Sequence, residues 1–186
     1  MTRYQALLAR LSASTQRDVG VLWTRHTLGN VSRAQFVALA AARIAAADRR
    51  AATLADVALA AQVMAALGEP VAPLGLTAEN ADQARLAGAL GVVIDAPVAA
   101  EGEALDLSVR SRVQRLAGNE PLLTAAAAMR EGMTLRIDVV SGWQRSTSPG
   151  ACELCSGWSH GGPFPPQAPM ARHPGCTCVQ QIVIRK

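Results

Sequence analysis

The sequence predicts a mainly α-helical fold, built from alanine- and arginine-rich helices, with a small β element near the C-terminus. Three observations lead there. Half of the 186 residues are apolar, yet three Trp, one Tyr and two Phe are the only aromatics, and much of the rest is alanine. Apolar residues recur at helical spacing through most of residues 1–132. Beyond them the pattern changes to short alternating runs, and all four cysteines fall between 152 and 178. An alanine-rich chain packs helices closely but removes little area from water per residue, so its core is thin. The division expected is a helical body over 1–132 and a small β and cysteine-bearing module over 133–186.

The first helix is expected from Tyr4 to about Leu22, where Tyr4, Leu7, Leu8, Leu11, Val19 and Leu22 share a face. A turn at 26–31 contains Gly29 and Asn30. Ser32 with Gln35 three residues later forms a capping box, opening a second helix to about Arg50. Thr53 with Asp56 suggests another start, and that helix ends at Gly68. After the proline-bearing stretch 68–77, Thr77 is placed to cap a helix running to about Leu90. Residues 92–100 read as a buried strand or a helix-end loop, which periodicity does not separate. A helix over 103–116 follows. Asn119 and Pro121 stand where a cap and a first-turn proline belong, giving a further helix over 122–130 that stops at Gly132. Leu135, Ile137 and Val139 alternate with Arg136 and Asp138, which predicts a half-buried strand over 134–140. The run 179–184 reads as a second strand able to pair with it.

Charge is unevenly spread. Residues 1–50 hold eight Arg against Asp18 and Asp48, residues 51–131 hold five Arg against ten acids, and the remainder is again basic. The basic N-terminal part reads as a solvated helix face, with nucleic acid or an acidic partner as the sharper alternative. The N-terminus lacks the continuous apolar region of a secretory signal, and no run of about 18 uncharged apolar residues reads as a membrane span. The expected setting is therefore intracellular and reducing, where clustered cysteines favour metal over disulfides.

Cys152, Cys155, His173, Cys176 and Cys178 follow the pattern C-x2-C-x17-H-x2-C-x-C. Zinc takes four tetrahedral sulfur or nitrogen ligands, and a two-residue spacing lets both thiolates of one tight turn reach one ion. Gly150, Pro174 and Gly175 supply turns around the pairs. The expected feature is a structural zinc knuckle using Cys152, Cys155 and His173 with one or both of Cys176 and Cys178, and His160 in reserve. Which four bind is open at this point. Residues two apart on an extended chain face opposite ways, so a turn at 175–177 is needed to bring both Cys176 and Cys178 inward. A catalytic zinc needs an open position beside a base, and Glu153 is the only carboxylate in the segment. The residues assign no nucleophile, base and oxyanion set elsewhere. Trp158, Phe164 and Met170 in the Gly- and Pro-rich loop are expected to cover the knuckle.

The run from Trp143-Gln144-Arg145 through Ser148-Pro149-Gly150-Ala151-Cys152-Glu153-Leu154-Cys155, followed by His173-Pro174-Gly175-Cys176-Thr177-Cys178, resembles the C-terminal segment of MuF-like phage head proteins. These are minor capsid or head-morphogenesis proteins, of which actinobacteriophage members are often labelled capsid maturation protease. The resemblance covers about residues 134–180, with Thr177 standing where a basic residue is common. It implies a structural, portal-associated minor head protein acting in capsid assembly or DNA ejection. Its partners would be portal and capsid or scaffold proteins, with packaged DNA as a further contact. It would be located in the virion interior, and in host cytoplasm during assembly. The rival expectations are a zinc-knuckle nucleic-acid-binding protein and a maturation protease.

Overall fold

The computed structural model describes residues 1–79, 81–97, 99 and 101–185. Along the chain run α1 (Arg3–Thr27), α2 (Arg33–Leu67), α3 (Gln83–Asp95), α4 (Gly102–Leu135), β1 (Val140–Ser146), α5 (Glu153–Ser159) and β2 (Val179–Ile184). The fold is mainly α with a two-stranded antiparallel sheet near the C-terminus, as the sequence predicts. Ser32 and Gln35 form the expected capping box at α2, and Gly68 closes that helix in the left-handed conformation. A second box, Thr2 with Gln5, opens α1.

Two expected helix breaks are absent. Thr53 does not cap a new helix: its hydroxyl donates to the Arg49 carbonyl one turn back at 3.1 Å, and α2 continues through it. Asp56 is buried and turns the other way, accepting from the backbone N–H of Leu74, Gly75 and Leu76 at 2.7–3.0 Å. It thereby fastens the proline-bearing stretch to α2. Pro121 likewise sits inside α4 instead of starting a helix. The missing donor costs a hydrogen bond, but flanking residues Ala117, Leu122 and Ala125 are all fully buried, and packing keeps the helix continuous through Pro121.

Other boundaries shift. Asp82 caps α3 rather than Thr77, and the helix runs through Gly91 to Asp95, so the reading of 92–100 as a strand fails over 92–95. Asn80, Val98 and Ala100, which fall within those expectations, lie outside the described residues. Leu135 and Ile137 are 61% and 48% exposed, so their alternation marks no buried face. Arg136 N–H still bonds the Gly132 carbonyl, and the strand begins only at Val140. It pairs with β2 as expected, in a register that sets Trp143 opposite Ile182 and Arg145 opposite Gln180.

α2 is the central helix. Ala40, Ala47, Ala51 and Ala55 are buried along it, and these small side chains let α1 and α4 approach closely. Gln16 and Gln114 lie directly over Gly118 and Gly20 where α1 meets α4. The buried apolar residues form two clusters. One gathers Trp23, Phe36, Leu86 and Val113. The other joins Leu8, Leu59, Leu122 and Met129 of the helices to Trp143, Cys155, Met170 and Cys178. Asp48 stands between them along α2, fully buried near Glu120, Thr124 and Arg85. Burial first, and then the Glu120 charge, push its carboxyl up to about 7 against the pull of Arg85. By length and hydropathy α2 would pass for a membrane-crossing helix. In this fold its Phe36, Ile44, Leu59 and Val63 are buried against the other helices.

Candidate metal centre

The module is seated on the helices by polar contacts as well as apolar ones. Gln5 of α1 donates to the Ser146 carbonyl at 3.0 Å, and Gln62 of α2 accepts from the Ile182 N–H at 2.9 Å. On the far edge of β1, Trp143 and Phe164 exchange two backbone hydrogen bonds of 2.8 Å. Their rings lie 4.6 Å apart. Trp143 also donates its indole N–H to the Ala168 carbonyl at 3.2 Å. Phe164 and Met170 thus pack inside the module, as expected of residues that cover the knuckle, and Trp158 lies over Arg145.

This framework brings the five expected ligand residues together. Gly150 at φ 72° turns the chain into α5, so that Cys152 caps the helix and Cys155 lies in its first turn. Gly175 at φ 78° makes the second turn, closed by Cys176 N–H to the His173 carbonyl at 3.1 Å. That turn solves the C-x-C difficulty: Cys176 and Cys178 are both buried, and their sulfurs lie within 4.8 Å of each other and of Cys155. His173 Nε2 stands 3.2 Å from Cys152 Sγ and 3.1 Å from Cys155 Sγ, and Cys155 Sγ is 3.5 Å from Cys176 Sγ. Cys155 therefore belongs to two groups of three, one with Cys152 and His173, the other with Cys176 and Cys178.

The His173 ring is oriented for a ligand. Its Nδ1 lies 3.1 Å from the Pro174 carbonyl. A proton held there leaves the Nε2 lone pair facing the sulfurs, the arrangement usual for metal-binding imidazoles. All four cysteines are free thiols. Burial pushes the Cys155 thiol up, and its neighbours Cys176 and Cys178 add to this. At Cys178 burial also opposes ionisation, but hydrogen bonds from the Ser148 backbone and hydroxyl bring its thiol below the ordinary value. The cluster has the ligand atoms, spacing and burial to bind a metal ion.

His160, the reserve ligand, is exposed at the end of α5 and belongs to neither group. From the sequence, Arg145 and Ser148 have no part in the site beyond the run that contains them. Arg145 is buried within β1, with Nη1 4.0 Å from Cys155 Sγ and 3.9 Å from Cys176 Sγ. Arg172 donates to the carbonyls of Cys176 and Cys178 at 2.7 and 2.5 Å. Arg145 stands seven residues before Cys152, a signal that only the strand pairing makes interpretable. Comparison of the chain with protein-family models, with curated proteins and with solved structures finds no match.

Proposed function

We propose that the C-terminal cluster is a structural zinc site and that the chain acts as a structural, portal-associated minor head protein of a tailed phage. The observation that carries the first half is the convergence of Cys152, Cys155, His173, Cys176 and Cys178 from two separate turns. Ligands about 2.3 Å from a tetrahedral zinc lie about 3.8 Å from one another. The separations here, from 3.1 Å to within 4.8 Å, bracket that value. Thiolate-rich sets of this kind favour zinc among divalent ions and close its coordination, which suits folding rather than catalysis. When bound, the ion would tie the loop 152–178 to β1 and β2. The purified protein should contain one zinc per chain, and Cys152→Ser with Cys155→Ser should abolish it. Metal-free wild-type protein, purified without chelators, would sink the reading.

The head-protein role rests on the resemblance of residues 143–155 and 173–178 to MuF-like proteins. Long helices that expose Leu39, Val57 and Met64 are compatible with docking on a larger assembly. Sedimentation of the full chain with the cognate portal ring tests this: co-sedimentation is expected, and its absence at micromolar concentrations counts against the role.

A second reading, nucleic-acid binding, has its own observation. Arg3, Arg10 and Arg17 recur every seven residues on α1 and are exposed. The ion pairs found among the described residues involve other arginines. A salt titration of duplex binding separates the readings, because phosphate contacts weaken steeply with salt.

A further inference from the structure

Among the described residues, no carboxylate forms an ion pair with either of the two arginines against the cluster. Arg145 directs Nη1 at two sulfurs, donates Nη2 to the Ala171 carbonyl and lies 5.1 Å from the Trp158 ring centroid, while its Nε has no hydrogen-bond partner. Arg172 clamps the two carbonyls of the C-x-C segment, and its Nε is also buried without a partner. The ion pairs among the described residues are Arg33–Asp95, Arg43–Asp18 and Arg85–Glu120. Glu153, the one acid between Cys152 and Cys178, is exposed. A buried guanidinium keeps its proton and loses its hydration, so an anion must face it if the fold is to tolerate it. The sulfurs are the groups in position.

That requirement bears on the ligand set. Two thiolates and two neutral ligands around a divalent ion give a neutral centre, which offers nothing to a buried cation. Three or four thiolates leave a single or double negative charge. An oxidised pair, likewise neutral, would leave Arg145 uncompensated.

We propose that Arg145 is the positioning residue of the metal centre: its Nη1 holds Cys155 and Cys176 as hydrogen-bonded thiolates in an anionic site of at least three thiolates, and so makes those sulfurs inert. Charge-assisted N–H···S bonds draw electron density from sulfur and fix its direction. Nucleophilicity resides in the free thiolate, so a sulfur engaged by Arg145 reacts slowly with electrophiles even while ionised. The inference rests on the structural-zinc reading above and adds to it the charge of the site and the residue that sets its reactivity.

The test uses the full-length zinc-loaded chain. Cobalt substituted for zinc counts the thiolates by the intensity of the sulfur-to-cobalt charge-transfer band, and three or four are expected. Zinc release driven by iodoacetamide is then followed with a chromophoric chelator. Arg145→Gln should release zinc about tenfold faster, the scale expected for a hydrogen bond to a charged group, and Arg145→Lys should fall between it and wild type. Unchanged release from a folded Arg145→Gln, or a charge-transfer band for only two thiolates, overturns the proposal. A general loss of packing would lower the melting temperature of both variants alike without ordering their release rates by charge. Should Arg145→Gln fail to fold, Arg145→Lys decides: an intermediate rate supports the proposal and a wild-type rate overturns it. Wild-type protein that takes up no zinc defeats the underlying reading instead, and does so before any variant is made.

Discussion

In the helical body, alanines at 40, 47, 51 and 55 of α2 are buried against α1 and α4, and Trp23 and Phe36 supply the bulk at one end. In the module, bulky aromatics crowd a small space: Trp143 is 1% exposed and stacks on Phe164, and Trp158 lies over Arg145. The body has long helices whose backbone hydrogen bonds are satisfied locally. The module has two short strands and a long Gly- and Pro-rich loop that satisfies few of its own. A thin core suffices where secondary structure is extensive and helices can approach closely. Where it is sparse, aromatic bulk is joined by a cluster of cysteines and a histidine placed to cross-link the chain through a metal. Polar groups follow the same division, since the body spreads its buried acids Asp48, Asp56 and Glu120 along α2 and α4, whereas the module gathers sulfurs and guanidiniums around a single point.

The largest expected difference is therefore in the response to metal removal. Structural zinc contributes on the order of 10 kcal/mol to the folding of small modules, and the loop 152–178 is otherwise held by one short helix and by its contacts to Trp143 and Arg145. Chelation should unfold the module, shifting the fluorescence of Trp143 and Trp158 to the red, while circular dichroism at 222 nm retains most of its helical amplitude. The contrast breaks if fluorescence is unmoved, or if the helical signal collapses in step with it. Because Leu8, Leu59 and Met129 share an apolar cluster with the module, the body's thermal midpoint should fall even as its helices persist.

A smaller effect, of opposite origin, belongs to the body. Asp48 has its carboxyl raised to about 7 by burial and by Glu120, so the folded chain favours the protonated form. Its stabilising contribution is complete below the ordinary carboxylate range and is lost as pH rises through about 7. Between about pH 5.5 and about pH 8 metal-saturated wild type should lose about 2 kcal/mol on this account. Asp48→Asn, which carries no charge at any pH, should lose none of it. Urea midpoints at the two pH values measure the difference. A parallel fall in both proteins would place the sensitivity elsewhere.

Legibility also divided along this line. The gathering of the cysteines and His173 could be read from spacing alone because it is local: each pair lies within one turn, and glycines at 150 and 175 mark where the turns must be. The helix boundaries at Thr53 and Pro121 could not, since a hydroxyl or a proline signals a start only when the chain before it is free to end. At Thr53 the hydroxyl bonds backwards to Arg49, and at Pro121 buried neighbours on both sides keep the helix continuous. Asp56 shows the same limit from the other side, because its three N–H partners lie 18 to 20 residues away. The strand expected over 134–140 failed because alternation there faced solvent, and its true position depends on pairing with a segment some forty residues on.

The smallest expected effect tests how closely the module is assembled around that pairing. Gly142 sits at the irregularity in the β1–β2 register, and a Cβ there would overlap the Phe164 carbonyl, a backbone atom that cannot swing aside as a side-chain tip can. Gly142→Ala must therefore push apart the pair of Trp143–Phe164 hydrogen bonds. That should cost about 1–2 kcal/mol, in the range of overpacking a tight interior, and the cost should fall on the module alone. Metal-saturated protein should show faster hydrogen exchange at the Trp143 and Phe164 amides with unchanged protection in α2. If instead α2 and the module lose protection together, the two regions unfold as one cooperative unit, and the separate responses expected for chelation and for Asp48 must merge as well.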